Sequence, residues 1–146
     1  MTTLKEIISE SENQTLEIGR QFASVLNPGD VVALIGDLGT GKTIFVKGIV
    51  AGLGFKPENV FSASFVLVQE YKAEIPVYHI DLYRLDYQEV VELDWDSYLD
   101  DEHIVLIEWA EKVRKFLEFD FKIHIEFKNK NRKITIWGAR DVSIGH

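Results

Sequence analysis

The sequence predicts an α/β protein: a mixed sheet with a parallel core and antiparallel hairpins, flanked by helices. Three observations carry this expectation. The apolar run Val31-Val32-Ala33-Leu34-Ile35 passes through Gly36-Asp37-Leu38-Gly39-Thr40-Gly41-Lys42-Thr43 into a segment with Val46, Ile49, Val50 and Leu53 on one side. That is the pattern of a buried strand, a glycine turn and a helix. Two extended stretches, Phe65 to Tyr71 and Ile75 to Tyr83, are separated only by Lys72-Ala73-Glu74. So short a link forces antiparallel pairing, because a parallel crossover needs about a dozen residues or more. In the last third, Phe121, Ile123, Ile125 and Phe127 alternate with Lys122, His124, Glu126 and Lys128, which gives a strand one buried and one wet face.

The remaining elements follow in order. Ser11-Glu12-Asn13-Gln14 has the form of a capping box and opens a helix with Leu16, Gly19, Phe22, Ala23 and Leu26 on one face. Pro28-Gly29 stops that helix and leads into Val31, read here as the start of the first strand. Gly52 and Gly54 mark the end of the second helix, and Lys56-Pro57-Glu58-Asn59 is a turn. Asp86 to Leu99 reads as acidic, loosely helical segments. Ile104-Val105-Leu106-Ile107 is a fully apolar strand of the sheet centre. Asn129-Lys130-Asn131 turns the chain, and Arg132 to Trp137 runs back. No repeat or linker divides the sequence, so residues 1–146 read as a single P-loop domain, long enough to bury a proper core.

Composition narrows the function classes. No apolar run approaches a membrane span, and Met1-Thr2-Thr3-Leu4-Lys5-Glu6 lacks the apolar core of a secretory signal. With no cysteine there are no disulfides, thiolate zinc sites or cysteine nucleophiles. A cytoplasmic protein without membrane attachment is expected. The net charge of −8 argues against electrostatic capture of DNA or RNA, so any RNA would be held through a partner. Basic residues gather at Lys112, Arg114 and Lys115 and from Lys128 to Lys133, and are expected on solvated faces.

Residues 36–43 complete the G-x-x-x-x-G-K-[ST] phosphate loop. Its glycines let the backbone N–H groups of Leu38, Gly39, Thr40 and Gly41 approach a phosphate at a helix N-terminus. Lys42 would pair with the β- and γ-phosphate oxygens, and the Thr43 hydroxyl would ligate Mg²⁺. Such a loop needs an acidic partner for the metal. Tyr78-His79-Ile80-Asp81 and Val105-Leu106-Ile107-Glu108 both end an apolar strand on a carboxylate, at the strand C-termini where open α/β sheets bind ligands. Trp109 reads equally as core or as a nucleotide neighbour. His79 reads as a packing or hydrogen-bonding residue rather than a general base.

Taken together, Gly36 to Thr43, Ser62-Ala63-Ser64-Phe65, His79-Ile80-Asp81-Leu82-Tyr83-Arg84-Leu85 and Ile107-Glu108-Trp109 resemble the TsaE (YjeE-like) family of P-loop ATPases, over about Ser11 to Arg132. The resemblance implies a P-loop NTPase-like fold. It also implies weak Mg²⁺-dependent ATP hydrolysis in the synthesis of threonylcarbamoyladenosine in tRNA, together with TsaB and TsaD proteins. By position, it makes Lys42 the phosphate lysine, Thr43 and Glu108 the metal ligands, and Asp81 an acid needed for activity. It sets Trp109 near the nucleotide, and Glu12, Thr15 and Arg132 near the adenine. Two departures stand out. Ala63 and Ser64 replace the family's Pro and Thr, and Ala110 replaces the Pro after Trp109.

Three other readings stay open on the residues alone. A small-molecule kinase would need a lid, for which the acidic stretch from Asp86 to Glu102 is the one candidate. A guanine switch would need N-K-x-D, whereas Asn129-Lys130-Asn131-Arg132 ends on a cation that cannot accept the guanine N–H bonds. A binding module without chemistry would turn Asp81 and Glu108 away from the phosphates. His79, Tyr83 and Arg84 are the expected part of a partner-facing surface.

Overall fold

The computed structural model describes residues 1–60 and 67–144. Its strands are β1 (Thr2–Ser9), β2 (Val31–Ile35), β3 (Val68–Tyr71), β4 (Val77–Asp81), β5 (Ile104–Glu108), β6 (Phe121–Lys128) and β7 (Asn131–Gly138). They form one sheet in the order β1-β7-β6-β2-β5-β4-β3. β2 pairs in parallel with β5 and β6, and β5 with β4. The pairs β3–β4, β6–β7 and β1–β7 are antiparallel. This is the expected mixed sheet, with one strand more than expected. β1 precedes the apolar run at Val31 and closes the sheet edge against β7, from Thr2↔Gly138 to Ser9↔Arg132.

Helices α1 (Glu12–Phe22) and α2 (Lys42–Gly52) cover one face, where Phe22, Phe45, Val46, Ile49 and Val50 meet Leu34, Leu106 and Ile123. Ser11 caps α1 by accepting from the Gln14 N–H at 3.1 Å. The reciprocal bond runs from the Glu10 N–H to Gln14, one residue earlier than a capping box places it. Thr15, Ile18, Gly19 and Phe22 point inward, and Leu16 is half-buried. α1 and α2 touch backbone to backbone at Gly48, where a Cβ would come within 2.1 Å of the Leu16 carbonyl oxygen.

The other face is covered by α3 (Tyr87–Val91), α4 (Trp95–Tyr98) and the turn that follows β5. Asp86 and Glu89 form a complete capping box on α3. Val90 and Trp95 are buried against the sheet, and the Trp95 indole N–H donates to the Val90 carbonyl at 2.9 Å. The acidic stretch is therefore pinned by its apolar residues. Phe127 departs from the alternation: Phe121, Ile123 and Ile125 are fully buried, but Phe127 is 52% exposed where β6 runs past the core. The segment Ser62-Ala63-Ser64-Phe65 lies outside the described residues. Among those residues, no helix is long and apolar enough to cross a membrane.

Candidate nucleotide site

β2 delivers the chain to the loop, and Gly41, at φ +111°, caps α2 in a left-handed conformation that only glycine adopts without strain. Lys42 and Thr43 are thus the first residues of α2, at the positive end of its dipole. Pairing registers bring the acids to the same place. Asp81 and Glu108 are direct partners on the parallel strands β4 and β5. Both line one cleft with Leu38, Gly39, Gly41, Lys42, Thr43, Tyr83 and Trp109. The Thr43 hydroxyl donates to Glu108, with its oxygen 3.3 and 3.2 Å from Oε1 and Oε2.

Lys42 is buried and donates to the carbonyls of Gly36 and Asp37, the latter at 2.9 Å. Its Nζ stands 4.3 Å from the centre of the Trp109 ring. Burial pulls the Lys42 pKa below its ordinary value, against the opposing charges of Glu108, Glu111, Asp81 and Asp37. Burial also raises the Asp81 carboxyl, outweighing the hydrogen bond it accepts from the Tyr83 N–H at 2.9 Å. Trp109 takes φ 60° and ψ 38°, a left-handed conformation that costs a bulky residue about 1–3 kcal/mol. With that backbone its ring contacts Tyr83, centroids 4.9 Å apart, as well as Lys42. The ring is half-buried: it lines the cleft and also packs against the core on the α3 and α4 face of the sheet.

The donor set suits a hard cation. A hydroxyl and carboxylates offer only oxygen, which matches magnesium. Among the described residues there is no cluster of three or more His, Cys, Asp or Glu that could hold a metal. A cation here would share Thr43 and Glu108 with phosphate oxygens and water, as Mg²⁺ does.

A second cleft adjoins the first and shares Glu12, Gly39, Gly41 and Ile44 with it; Ser9, Thr15, Thr40, Lys130 and Arg132 also line it. Glu12, Thr15 and Arg132 come together there. Thr40 is buried and its hydroxyl donates to the Asp37 carbonyl at 2.9 Å. Arg132 braces the loop from outside, its Nε donating to the Thr40 carbonyl at 3.2 Å, with its guanidinium over the Phe127 ring.

Comparison with known proteins identifies the family. Residues 9–136 match the family described as Threonylcarbamoyl adenosine biosynthesis protein TsaE. The chain belongs to the TsaE family. It is 37% identical to the tRNA threonylcarbamoyladenosine biosynthesis protein TsaE of Aquifex aeolicus, over 94% of this chain and 98% of that one. The Haemophilus influenzae protein of the same name is 36% identical, over 93% and 90%. A crystal structure of Bacillus subtilis YdiB matches with a TM-score of 0.76 and 31% identity, over 93% of this chain and 86% of that one.

Some residues escaped the sequence reading. Ser9 reaches the second cleft through β1, and its hydroxyl lies 2.7 Å from that of Thr15. Lys112, expected on a solvated face, donates to the carbonyls of Leu82, Tyr83 and Leu85 at 2.8–2.9 Å, tying the turn after Trp109 to the loop after Asp81. His79 is fully buried and so cannot belong to a partner-facing surface, whereas Tyr83 and Arg84 are exposed. Tyr71 hydrogen-bonds to His79. It faces the same side of the hairpin as Gln69, the register partner of His79, and that alternation was the signal for it.

Proposed function

We propose that the chain is an ATP-binding, Mg²⁺-dependent ATPase of low intrinsic turnover. It would act in the synthesis of threonylcarbamoyladenosine in tRNA together with TsaB and TsaD proteins. The observation that carries this reading is the meeting of the Thr43 hydroxyl and the Glu108 carboxylate at 3.2–3.3 Å, in the cleft that also holds Lys42 and Asp81. In it, the N–H groups of the loop and the Lys42 ammonium bind and orient the phosphates. Magnesium, when bound at Thr43 and Glu108, supplies neutralisation of charge on the phosphate oxygens. Asp81 orients the attacking water and takes up its proton, a role suited by its raised proton affinity.

Low turnover follows from the charge inventory. Among the described residues lining this cleft, Lys42 is the one cation and arginine is absent. Arg132 belongs to the second cleft. Without an arginine to stabilise the transition state, P-loop hydrolysis is slower by about 10³–10⁵, so a partner that supplies one would raise the rate. The acidic balance of the chain supports contact with tRNA through those partners rather than directly.

The test separates chemistry from binding. Glu108→Ala should lower hydrolysis by about a hundredfold, as losses of positioned transition-state groups do, while ATP affinity measured by calorimetry at saturating Mg²⁺ changes far less. Normal hydrolysis by that variant would overturn the assignment. Basal turnover that TsaB and TsaD proteins leave unchanged would overturn the partner dependence.

A further inference from the structure

His79 stands behind Glu108 with no exposure to solvent. Its Nε2 is 2.6 Å from Glu108 Oε2, and its Nδ1 is 2.9 Å from the Tyr71 hydroxyl. The registers explain the alignment. Gln69 pairs with His79, and His79 pairs with Leu106. Tyr71 and Glu108, each two residues further along, therefore share one sheet face with His79, the face under α2. A carboxylate can only accept, so Nε2 carries the proton toward Glu108, and the Tyr71 hydroxyl proton is shared between Nδ1 at 2.9 Å and Gln69 Oε1 at 3.2 Å. Tyr71 keeps that proton: burial, then the charge of Glu108, raises its pKa.

Packing alone does not call for this arrangement. The neighbours Val77 and Ile80 fill their places with carbon alone, and a buried polar side chain costs stability unless it is hydrogen-bonded. We propose that His79, backed by Tyr71, is a positioning residue that fixes the carboxylate of Glu108 in the orientation that meets a divalent cation beside Thr43. One carboxylate oxygen is held from behind by the imidazole, and the group is kept facing the Thr43 hydroxyl. The inference rests on the metal-binding reading of Thr43 and Glu108 given above.

The experiment measures binding of a non-hydrolysable ATP analogue by calorimetry across a range of Mg²⁺ concentrations. The wild type, His79→Leu, His79→Gln and Tyr71→Phe are compared. In His79→Leu the Mg²⁺ concentration that half-restores binding should rise about 10–100-fold, the usual cost of losing a partner of a metal ligand. Binding without Mg²⁺ should stay unchanged. His79→Gln, whose amide can donate to the same oxygen, should recover most of the shift. Tyr71→Phe should move the midpoint the same way, by severalfold, and carries the test where His79→Leu does not fold. A midpoint equal to the wild type in Tyr71→Phe and in folded His79→Leu overturns the inference. So does a midpoint in His79→Gln as displaced as in His79→Leu. If the wild type itself binds the analogue without regard to Mg²⁺, the metal site falls, and His79's role with it.

Discussion

Replacing Gly48 by alanine sets two opposing effects against each other. On an open helix surface the change stabilises by about 1 kcal/mol, because alanine is the better helix former. At this position the new Cβ would lie 2.1 Å from the Leu16 carbonyl oxygen and 3.0 Å from both the Arg20 nitrogen and the Gly19 Cα. All three are backbone atoms of α1, so no side-chain rotation relieves the contact and the two helices must separate. Overpacking costs about 1–3 kcal/mol, and a backbone wall puts this case at the upper end. The net loss is then about 2 kcal/mol, or roughly 4–8 °C in melting temperature for a chain of this size. Separation of the helices also widens the second cleft, since α1 brings Thr15 to it and α2 follows Gly41. Urea unfolding followed by circular dichroism measures the first effect, and ATP titration the second. A midpoint equal to or above the wild type would refute the reasoning, because helix propensity would have outweighed the contact.

The remaining predictions concern the site and a histidine far from it. Lys42→Ala should weaken ATP binding by about 1.5–3 kcal/mol through loss of charge-assisted hydrogen bonds; unchanged affinity in calorimetry would contradict the phosphate role. Nucleotide should alter tryptophan emission by drawing the Lys42 ammonium off the Trp109 ring, and a response that persists in Trp109→Phe would contradict it. His103 lies 2.7 Å from Asp100 and 2.6 Å from Glu70 and stacks on Tyr78. Burial lowers its pKa, but the hydrogen bonds and charges of Glu70 and Asp100 outweigh burial and leave it raised. A raised pKa in the fold makes the protonated histidine stabilising. That contribution is complete below the unfolded value near 6.5 and is lost as pH rises through the folded value. Melting temperature should therefore fall from pH 6 toward pH 8.5 in the wild type, and less so in His103→Gln; parallel curves would refute the linkage.

Local signals made the parallel core legible. The strand, loop and α2 announce themselves through period and glycine spacing, and the short link between Tyr71 and Val77 leaves β3 and β4 one way to pair. The strand-terminal acids Asp81 and Glu108 were placed by the rule for sheet C-termini, and the structure sets them side by side in the cleft. What stayed hidden depends on distant pairing. β1 has a mixed pattern, half of it exposed, because it is an edge strand, and its partner β7 lies more than a hundred residues on. Phe127 follows the period of β6 yet is exposed, because alternation encodes a face and not where the core ends. The bond from His79 to Glu108 crosses two strands, and the three bonds of Lys112 reach back to a loop some 30 residues earlier. The left-handed backbone of Trp109 has no signal in a tryptophan, which ordinarily avoids it.

The pairing of β1 with β7 bears on how the protein is born. Residues 2–9 are synthesised long before residues 131–138, so β1 cannot make this pairing until β7 has been made. Ser9 and Arg132 stand opposite each other in that last pairing and both border the second cleft. The phosphate turn is built from contiguous chain, whereas the pocket beside it comes into being only when β1 and β7 meet. A nucleotide that reaches across both would therefore report, by its grip, that the chain has closed.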